Sequence, residues 1–408
     1  MTIRSGRALR RLIAQGRFVR EIVHFGVHQV FPKSTTYTCL LILEKQTGTT
    51  FCVEHVGSLS NWMLGRSGAR HERDLSILTE EAWSLLPPEW EELFGRLQSQ
   101  NATKLEDVAE IFVGVQTSAD NIYIVHPFNE SATTVTFNDS AGRQWTIEKG
   151  VLRPCLHDVQ LHAFTPPHPN SYIIFPYQIS EQGASPLSPS IMRQRYPLTL
   201  RYLRAHRQTL SQRNVQGGPS PAWYRYGRSQ SLTKFSGKKI ILPILSTMPR
   251  YTLDDQNIVV TGGGNGPYYL VRPKQETRLS IRYLLAILCY PVIEAMVSAR
   301  SSHFRGDYYS HGKQFIAPLP VRTLNLDQAD EKRTHDRIVD LVDNLIDVSR
   351  SARNATTPRV RVAFNRQREE LLEELLRDLD QIYRVDTELR RNIGAAFAFN
   401  NDTGKETA

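Results

Sequence analysis

A stretch of sixty residues, Ile191 to Arg250, contains no aspartate or glutamate, and this feature limits the possible folds and partners of the chain more than any other. The stretch holds twelve lysines and arginines, whereas the formal charge of all 408 residues is only +9. The rest of the chain is therefore net negative, and the basicity is local. Like charges repel each other in a folded protein unless a polyanion is the usual partner, so this basic block favours nucleic acid. Its cations are Arg193, Arg195, Arg201, Arg204, Arg207, Arg213, Arg225, Arg228, Lys234, Lys238, Lys239 and Arg250.

Aromatic side chains are interleaved with these cations. Arginine pairs with guanine or phosphate through two hydrogen bonds, and an aromatic ring stacks on an unpaired base or packs beneath a guanidinium plane. The densest run is Trp-Tyr-Arg-Tyr-Gly-Arg-Ser-Gln-Ser, which begins at Trp223. The other interpretation is that the rings belong to the core and the arginines are merely solvated. The rings in question are Tyr196, Tyr202, Trp223, Tyr224, Tyr226 and Phe235.

Length and composition indicate a globular protein of two or three domains. Hydrophobic residues make up 40% of the chain and charged residues 22%, which is typical of proteins with a large core. No run approaches the roughly 20 apolar residues that a membrane span needs, so we expect no membrane partner. The four cysteines stand apart, without the spacing of a zinc cluster or a disulfide framework. A reducing, cytoplasmic location is therefore expected.

The first 57 residues predict two strands, at 21–25 and 37–44, with a turn at 31–33 between them. The second strand is almost continuously apolar, so we expect both of its faces to be buried. Two strands cannot bury both faces by themselves, and we therefore expect further polypeptide to complete the sheet. Residues 58–103 are polar and are predicted to form a helical connector.

From residue 104 the pattern becomes mostly β, and from residue 279 it becomes helical. β-branched runs divided by Gly and Pro predict strands, whereas apolar residues at helical spacing predict helices. The strands are expected at 171–175, 239–245, 258–261 and 268–271, and the helices at 279–299, 331–349 and 366–383. The region before residue 279 is expected to be mostly β with irregular loops.

No motif in the sequence indicates catalysis or metal binding. The glycine-rich run after Thr261 lacks the Lys-Ser/Thr ending of a phosphate-binding loop, and no helix follows it, which favours a hairpin turn. Asp254 and Asp255 would point to opposite faces of a strand, so we interpret them as turn residues and not as a metal pair. The histidines lack partners at metal-ligand spacing, and no nucleophile has an evident base.

An ordered set of segments resembles a known family of DNA-modifying enzymes. The segments are Glu21–Phe31, Thr35–Leu43, Phe112–Tyr123, Ile174–Tyr177, Leu210–Arg213, Gly227–Arg228, Lys239–Pro243, Tyr283–Leu288 and Phe315–Pro320, together with Tyr196, Tyr202 and Trp223. In this order they are similar to adenine-specific DNA methyltransferases and fused restriction-modification enzymes with a TaqI-type C-terminal specificity domain. The first two segments resemble the last strands of the catalytic sheet, and the third resembles the opening of the specificity domain.

The resemblance implies that the chemistry lies on other polypeptide. Members of the family place a methyl-donor loop and an Asn/Asp-Pro-Pro-Tyr/Phe motif before the matched strands, and this sequence contains neither Asn-Pro-Pro nor Asp-Pro-Pro. We therefore expect no catalytic residue, no cofactor-binding residue and no metal on this chain. The resemblance implies S-adenosyl-L-methionine for the catalytic domain and duplex DNA as the partner, with a separate methyltransferase catalytic chain as a further possible partner.

The sequence thus predicts an α+β fold with five parts. They are a two-strand remnant of a methyltransferase α/β sheet at 1–57, a helical connector at 58–103, a mostly β specificity domain at 104–325, C-terminal helices at 326–399 and a flexible tail at 400–408. The predicted function is sequence-specific DNA recognition without catalysis by the chain alone. Two alternatives stay open, which are a subunit of a split, active methyltransferase and a non-enzymatic module that binds RNA or an acidic protein. The candidate DNA-binding residues are Thr117, Asn121, Arg213, Arg225, Tyr226, Arg228, Ser229, Gln230, Lys234, Lys238 and Lys239.

Overall fold

The computed structural model describes residues 6–396 apart from 27, 29, 32–37, 46–47, 66–67, 82, 84, 101–102, 263–265, 302 and 305–307. Most of the predicted turn at 31–33, the centre of the glycine-rich run and the tail at 400–408 therefore lie outside the described residues. The helices are α1 Arg7–Gln15, α2 Leu59–Met63, α3 Pro88–Gln100, α4 Leu105–Val108, α5 Asp120–Tyr123, α6 Pro189–Arg195, α7 Pro197–Ala205, α8 Arg207–Ser211, α9 Ile281–Leu288, α10 Pro291–Arg300, α11 Lys313–Ile316, α12 Ala329–Asn354, α13 Pro358–Tyr383 and α14 Thr387–Ala396. Short 3-10 turns lie at Leu75–Ile77 and Lys149–Val151.

The strands are shorter than most of the helices and are spread over the chain. They are β1 Val19–His24, β2 Cys39–Leu43, β3 Thr50–His55, β4 Ala69–Asp74, β5 Ala109–Val113, β6 Ile124–Val125, β7 Asn129–Glu130, β8 Thr134–Asn138, β9 Gln144–Glu148, β10 Leu152–Leu156, β11 Ser171–Ile174, β12 Tyr177–Ser180, β13 Gly183–Pro186, β14 Lys239–Pro243, β15 Leu245–Ser246, β16 Thr252–Asp254, β17 Val259–Val260, β18 Tyr268–Pro273, β19 His303–Phe304 and β20 Tyr308–Ser310. The mixture of helices and several small sheets agrees with the predicted α+β class.

The chain forms two compact units. Unit 1 consists of Met1–Gln100 with Ser298–Tyr309, and unit 2 consists of Asn101–Val297 with Ser310–Ala408. The division into five functional parts stays a prediction.

Unit 1 is built on a four-stranded sheet with the order β2-β1-β3-β4. Strands β1 and β3 are parallel, and the other two pairings are antiparallel. Val19, Ile22, Phe51 and Val53 form the core of this unit with Ile13 of α1, because these side chains share one face of the sheet. Both predicted strands are present, as β1 and β2, but the sheet is larger than the predicted two-strand remnant.

One expectation about unit 1 is wrong, and another is incomplete. Strand β2 was expected to be buried on both faces, yet it is the edge strand, and Leu40, Ile42 and Leu43 are 46%, 39% and 47% exposed. The polar segment 58–103 contains helices α2 and α3, in agreement with its predicted helical character, but it also contributes strand β4. Strand β4 has no apolar pattern in the sequence, because its buried side chain is Arg73. This arginine donates to the carbonyl of Leu86 and to the carboxylate of Glu91.

Three histidines of unit 1 pack against one another. The ring of His55 lies 5.5 Å from the ring of His24 and stacks at 5.1 Å on that of His71. Burial, helped by His55 and His303, lowers the pKa of His24 from 6.5 to about 4. Burial also lowers the pKa of His55 and of His71, and Arg73 acts in the same direction on both. The folded unit therefore keeps this cluster neutral.

We expect unit 1 to lose stability as the pH falls below about 6.5, the pKa of an unperturbed histidine. Between that pH and about 4 the unfolded chain binds a proton at His24 and the folded chain does not. Linkage then lowers the free energy of unfolding, by about 2 kcal/mol near pH 5 for this residue alone. Amide hydrogen exchange of β1, corrected for intrinsic rates, measures the effect. The variant His24→Gln should lose less on acidification, and β1 protection that does not change with pH would contradict the prediction.

Unit 2 carries the larger core. One sheet has the order β17-β10-β11-β6, a second has the order β16-β14-β18-β5, and β7, β8 and β9 form a meander. The predicted strands near 171, 239, 258 and 268 correspond to β11, β14, β17 and β18. Tyr123, Tyr202, Tyr224 and Tyr226 are all buried in one cluster with Phe175, so aromatic rings fill this core.

The basic block begins with three short helices that the sequence pattern did not predict. Ser188 caps α6 by accepting from the amide of Ile191, and a proline begins both α6 and α7. Glu148 of β9 accepts from the first amides of α7, at 2.8 Å from Leu198 and 2.9 Å from Thr199. The cap of α7 thus comes from a carboxylate about fifty residues away, which the local sequence pattern does not show.

The C-terminal region is helical, as predicted. Helices α12 and α13 form an antiparallel hairpin, since Arg337 near the start of α12 contacts Asp378 near the end of α13 at 2.7 Å. No single helix in the described ranges is long and apolar enough to cross a membrane. Helices α9 and α10 together have the length and composition of a membrane span, but they are bent by 62° relative to each other. Nearly every residue of α9 is buried in the protein.

Candidate nucleic-acid interface

Five arginines of the basic block are exposed on α6, α7 and α8. Helix α7 is amphipathic, because Leu200 and Leu203 are buried whereas Arg201 and Arg204 are exposed. Burial of the apolar side of the helix against β9 thus turns the arginines to solvent. The exposed set, which we call the α6–α8 arginines, consists of Arg193, Arg195, Arg201, Arg204 and Arg207.

The charge of the α6–α8 arginines is not compensated. In the part of the chain that the structure describes, no carboxylate oxygen lies within 4.0 Å of any of their guanidinium nitrogens. The nearby acids serve other groups. Glu148 caps α7, and Asp139 accepts from Arg143 at 3.1 Å and from the indole of Trp145 at 2.9 Å. The five cations are therefore available to an external polyanion.

Arg207 connects this cationic surface with the loop that follows α8. Its guanidinium carbon lies 5.3 Å from the centre of the Trp223 ring, within the range of a cation–π contact. Trp223 is half-buried and packs on Tyr224, which is fully buried. The densest aromatic run in the sequence is thus an anchor for the loop, and the buried rings of Tyr224 and Tyr226 are not available for stacking on bases.

Arg213 binds two distant loops together. Its guanidinium donates to the carbonyl of Thr117 at 2.6 Å and to the carbonyl of Arg225 at 2.9 Å. It also lies over the Tyr123 ring at 5.4 Å. We call the segments 116–121 and 214–230 the paired loops. Because Arg213 bonds to neutral carbonyls, its positive charge remains beneath the paired loops.

Gly227 lets the two loops approach closely. Its amide donates to the carbonyl of Thr117 at 3.0 Å, and a Cβ at this position would lie 2.0 Å from Oγ of Ser118. Ser118 has a φ of 57°, a conformation that non-glycine residues rarely adopt. The loops are therefore locked together by backbone contacts that leave no room for a side chain.

Polar side chains, all but one of them uncharged, lie on the outer side of the paired loops. Gln216 accepts from the hydroxyl of Ser229 at 3.1 Å, and Gln230 donates to the side chain of Gln116 at 3.4 Å. The guanidinium of Arg228 donates to the carbonyl of Asn214 at 2.7 Å. Amides and guanidiniums of this kind match the donors and acceptors on base edges. We call this group the polar cluster, and its members are Gln116, Asn214, Gln216, Arg228, Ser229 and Gln230.

The structure removes three predicted residues from the candidate interface. Thr117 and Lys239 are 0% exposed and Tyr226 is 2% exposed, so no duplex can reach them in the folded chain. Each has an internal role. The hydroxyl of Thr117 accepts from the amide of Ala119 at 2.9 Å, that of Tyr226 donates to the carbonyl of Ile174 at 2.6 Å, and Lys239 pairs with Asp254.

The other eight predicted residues differ in exposure. Asn121, Ser229, Gln230 and Lys238 are exposed. Arg213 and Arg225 are half-buried and donate to backbone carbonyls, so they support the loops. Two further cations are half-buried. Arg228 belongs to the polar cluster, whereas Lys234 pairs with Glu110.

Three members of the polar cluster escaped the sequence prediction, namely Gln116, Asn214 and Gln216. Uncharged amides give no signal in a charge count, and Gln116 lies 114 residues from its partner Gln230. The one available signal was the resemblance of the segment around Thr117 to the opening of a specificity domain.

Groups of three or more His, Cys, Asp or Glu that could hold a metal ion are absent from the residues the structure covers. The expectation that S-adenosyl-L-methionine binds to other polypeptide stays a prediction.

Comparison with known proteins points to restriction-modification enzymes, although no protein-family model matches the chain. The chain is 27% identical over 406 residues to the type II restriction enzyme and methyltransferase RM.Eco57I of Escherichia coli, a match that covers 94% of this chain and 40% of that protein. It is 22% identical over 269 residues to the type II methyltransferase M.BstVI of Geobacillus stearothermophilus, covering 64% of this chain and 42% of that protein. The similarity to the type II methyltransferase M.BanIII of Aneurinibacillus aneurinilyticus is 21% over 208 residues, or 50% of this chain and 33% of that protein. The chain thus spans less than half the length of these relatives, and the similarities relate it to the type II restriction-modification methyltransferases.

Proposed function

We propose that this chain recognises duplex DNA for an adenine-specific methyltransferase of a restriction-modification system. The observation that carries the proposal is the juxtaposition of two surfaces along one segment. The α6–α8 arginines are exposed and uncompensated, and α8 leads directly into the paired loops with their polar cluster. The chain is similar to proteins named as type II methyltransferases, which supports the same proposal.

The α6–α8 arginines are assigned to the phosphates. Phosphate contacts fix the position of a protein on the duplex and supply most of its salt-dependent affinity, but they carry no sequence information. Guanidinium groups suit this task because they form paired hydrogen bonds with phosphate oxygens. The exposed Lys238 is a sixth candidate of the same kind.

The polar cluster is assigned to the bases. Glutamine and asparagine pair with adenine, and arginine pairs with guanine, through two hydrogen bonds at the edge of the major groove. In the free protein Ser229 bonds to Gln216 and Gln230 to Gln116, whereas Arg228 donates to backbone carbonyls, so these side chains must exchange internal partners for a base. Arg213 and the contact between Gly227 and Thr117 hold the two loops in register, which limits the positions the side chains can adopt.

The methyl transfer is assigned to other polypeptide. The resemblance to enzymes with a TaqI-type specificity domain supports a catalytic domain that binds S-adenosyl-L-methionine and precedes the segment seen here. The exposed edge of β2 supports a second candidate function, a subunit of a split enzyme. Leu40, Ile42 and Leu43 are exposed on this strand, whose outer edge pairs with no other strand among the described residues, so a strand from a catalytic chain could pair there and cover part of their surface.

Duplex binding by the purified chain tests the proposal. If the five α6–α8 arginines and Lys238 each neutralise a phosphate, these six residues should contribute about −5 to the slope of log affinity against log salt. A gel-shift series from about 50 to 200 mM salt measures it, and RNA of equal length and heparin serve as competitors. Equal competition by RNA would favour the non-enzymatic RNA-binding alternative, and absence of any duplex affinity at low salt would remove the proposal.

A methylation assay separates the two candidate functions. With labelled S-adenosyl-L-methionine we expect no incorporation by the chain alone. Incorporation that appears only when a catalytic chain is added, and that is lost in Ile42→Lys, would support the split enzyme.

A further inference from the structure

The turn between α12 and α13 carries a second cationic surface, separate in sequence from the basic block. Residues 348–368 contain six arginines and no aspartate or glutamate. We call this segment the hairpin tip. The opposite end of the same helix pair has mixed charges, and there Lys332 pairs with Asp336 and Arg337 with Asp378. The six arginines are Arg350, Arg353, Arg359, Arg361, Arg366 and Arg368.

Two of these arginines anchor the tip on a loop of unit 2. Arg353 donates to the carbonyl of Pro166 at 3.1 Å, and Arg368 donates to the carbonyl of Ala163 at 3.3 Å. Arg250, the last cation of the basic block, donates to the carbonyl of Leu161 in the same loop at 3.1 Å. Three guanidiniums thus meet within six residues of one loop. Since carbonyls are neutral, none of these bonds cancels a positive charge.

The remaining tip arginines are weakly compensated or not compensated. Arg350 pairs with Asp347 at 2.9 Å and Arg366 with Glu370 at 3.2 Å, but all four side chains are more than half exposed. Ion pairs of this kind contribute about 0 to 1 kcal/mol and exchange readily with other partners. Arg361 donates to the carbonyl of Ala355 at 3.5 Å, and among the described residues Arg359 has no carboxylate partner.

We propose that the hairpin tip is a second contact to the sugar-phosphate backbone of the duplex. This inference rests on the proposed function and adds a surface to it. A polyanion fits the tip because its charges are of one sign, exposed and held mainly by neutral groups. Val360 and Val362 are exposed beside the arginines, but two valines are far smaller than the apolar patch of a typical protein interface. The tip therefore binds the DNA backbone without recognising the base sequence.

The double variant R359Q/R361Q tests the inference, with K332Q/R333Q as the matched control at the other end of the hairpin. Both variants remove two exposed cations from the same pair of helices. Loss of two phosphate contacts should make the salt slope shallower by about 2 and weaken duplex binding roughly tenfold near 0.2 M salt. The control should leave the slope as in the unmodified chain, and the charge-retaining variant R359K/R361K should restore it.

The possible outcomes distinguish this inference from the function on which it rests. If the salt slope of R359Q/R361Q equals that of the unmodified chain, or if the control variant changes the slope as much, the second contact is wrong and the proposed function still stands. A lysine variant as weak as the glutamine variant also overturns it, because the contact would then not depend on charge. Absence of duplex binding by the unmodified chain overturns both. Thermal unfolding of each variant shows whether the fold is retained.

Discussion

Replacement of all five α6–α8 arginines by glutamine is expected to weaken duplex binding roughly a thousandfold near 0.2 M salt. Each phosphate contact contributes about 0.9 to the salt slope, so the slope should become shallower by about 4.5, and the remaining phosphate contacts should supply the rest. The five side chains are exposed and have no carboxylate partner in the described structure. Their removal should therefore leave the free energy of unfolding nearly unchanged. Gel shifts at several salt concentrations, with urea unfolding in parallel, measure both quantities.

A control must show that the position of the charges matters and not only their number. Exposed cations on the C-terminal helices, such as Lys332, Arg333 and Arg391, carry ion pairs and lie outside the basic block. Their replacement by glutamine should reduce affinity far less per charge removed. If the two sets of variants lose affinity equally, binding depends on the net charge of the whole protein and the assigned interface is wrong.

The sequence predicted the class of the fold and several elements of unit 2, because those elements have strong local signals. Strands such as β14 and β18 are rich in β-branched or aromatic residues and lie next to glycine or proline, and α12 and α13 have clear helical spacing. Elements that depend on contacts with distant residues were missed. The first amides of helix α7 donate to a carboxylate on β9, and β4 buries an arginine where an apolar residue would be expected in a strand.

The candidate site was predicted only in part, for a similar physical reason. A charge count identifies where cations are concentrated, but not which of them the fold exposes. Of the twelve cations in the basic block, Lys239 is buried and Arg213 holds loops together, whereas the α6–α8 arginines face solvent. Burial depends on contacts with segments between 15 and 96 residues away, so composition cannot distinguish these cases.

For a variant of Lys239, the sequence predicts weaker DNA binding, whereas the structure predicts a less stable unit 2. Its ammonium group and the carboxylate of Asp254 are both 0% exposed and form an ion pair. The ammonium also donates to the carbonyl of Phe235 at 2.6 Å. Asp254 accepts from the amides of Gln256 at 2.8 Å and Ile258 at 3.0 Å, so its carboxylate also orders the turn after β16. Burial lowers the pKa of Lys239, and Asp254 opposes that shift.

Lys239→Met is expected to destabilise unit 2 by about 3–5 kcal/mol, because it leaves the Asp254 carboxylate buried without a counter-charge. The double variant K239M/D254N should recover part of this loss, since no buried charge remains in it. Urea unfolding followed by the fluorescence of Trp145 and Trp223, which both lie in unit 2, measures the difference. Duplex affinity of the folded single variant should stay within about twofold of the unmodified chain, because a buried lysine reaches no phosphate. Normal stability combined with weakened DNA binding would show instead that Lys239 contacts the duplex, and would restore the assignment that its burial removed.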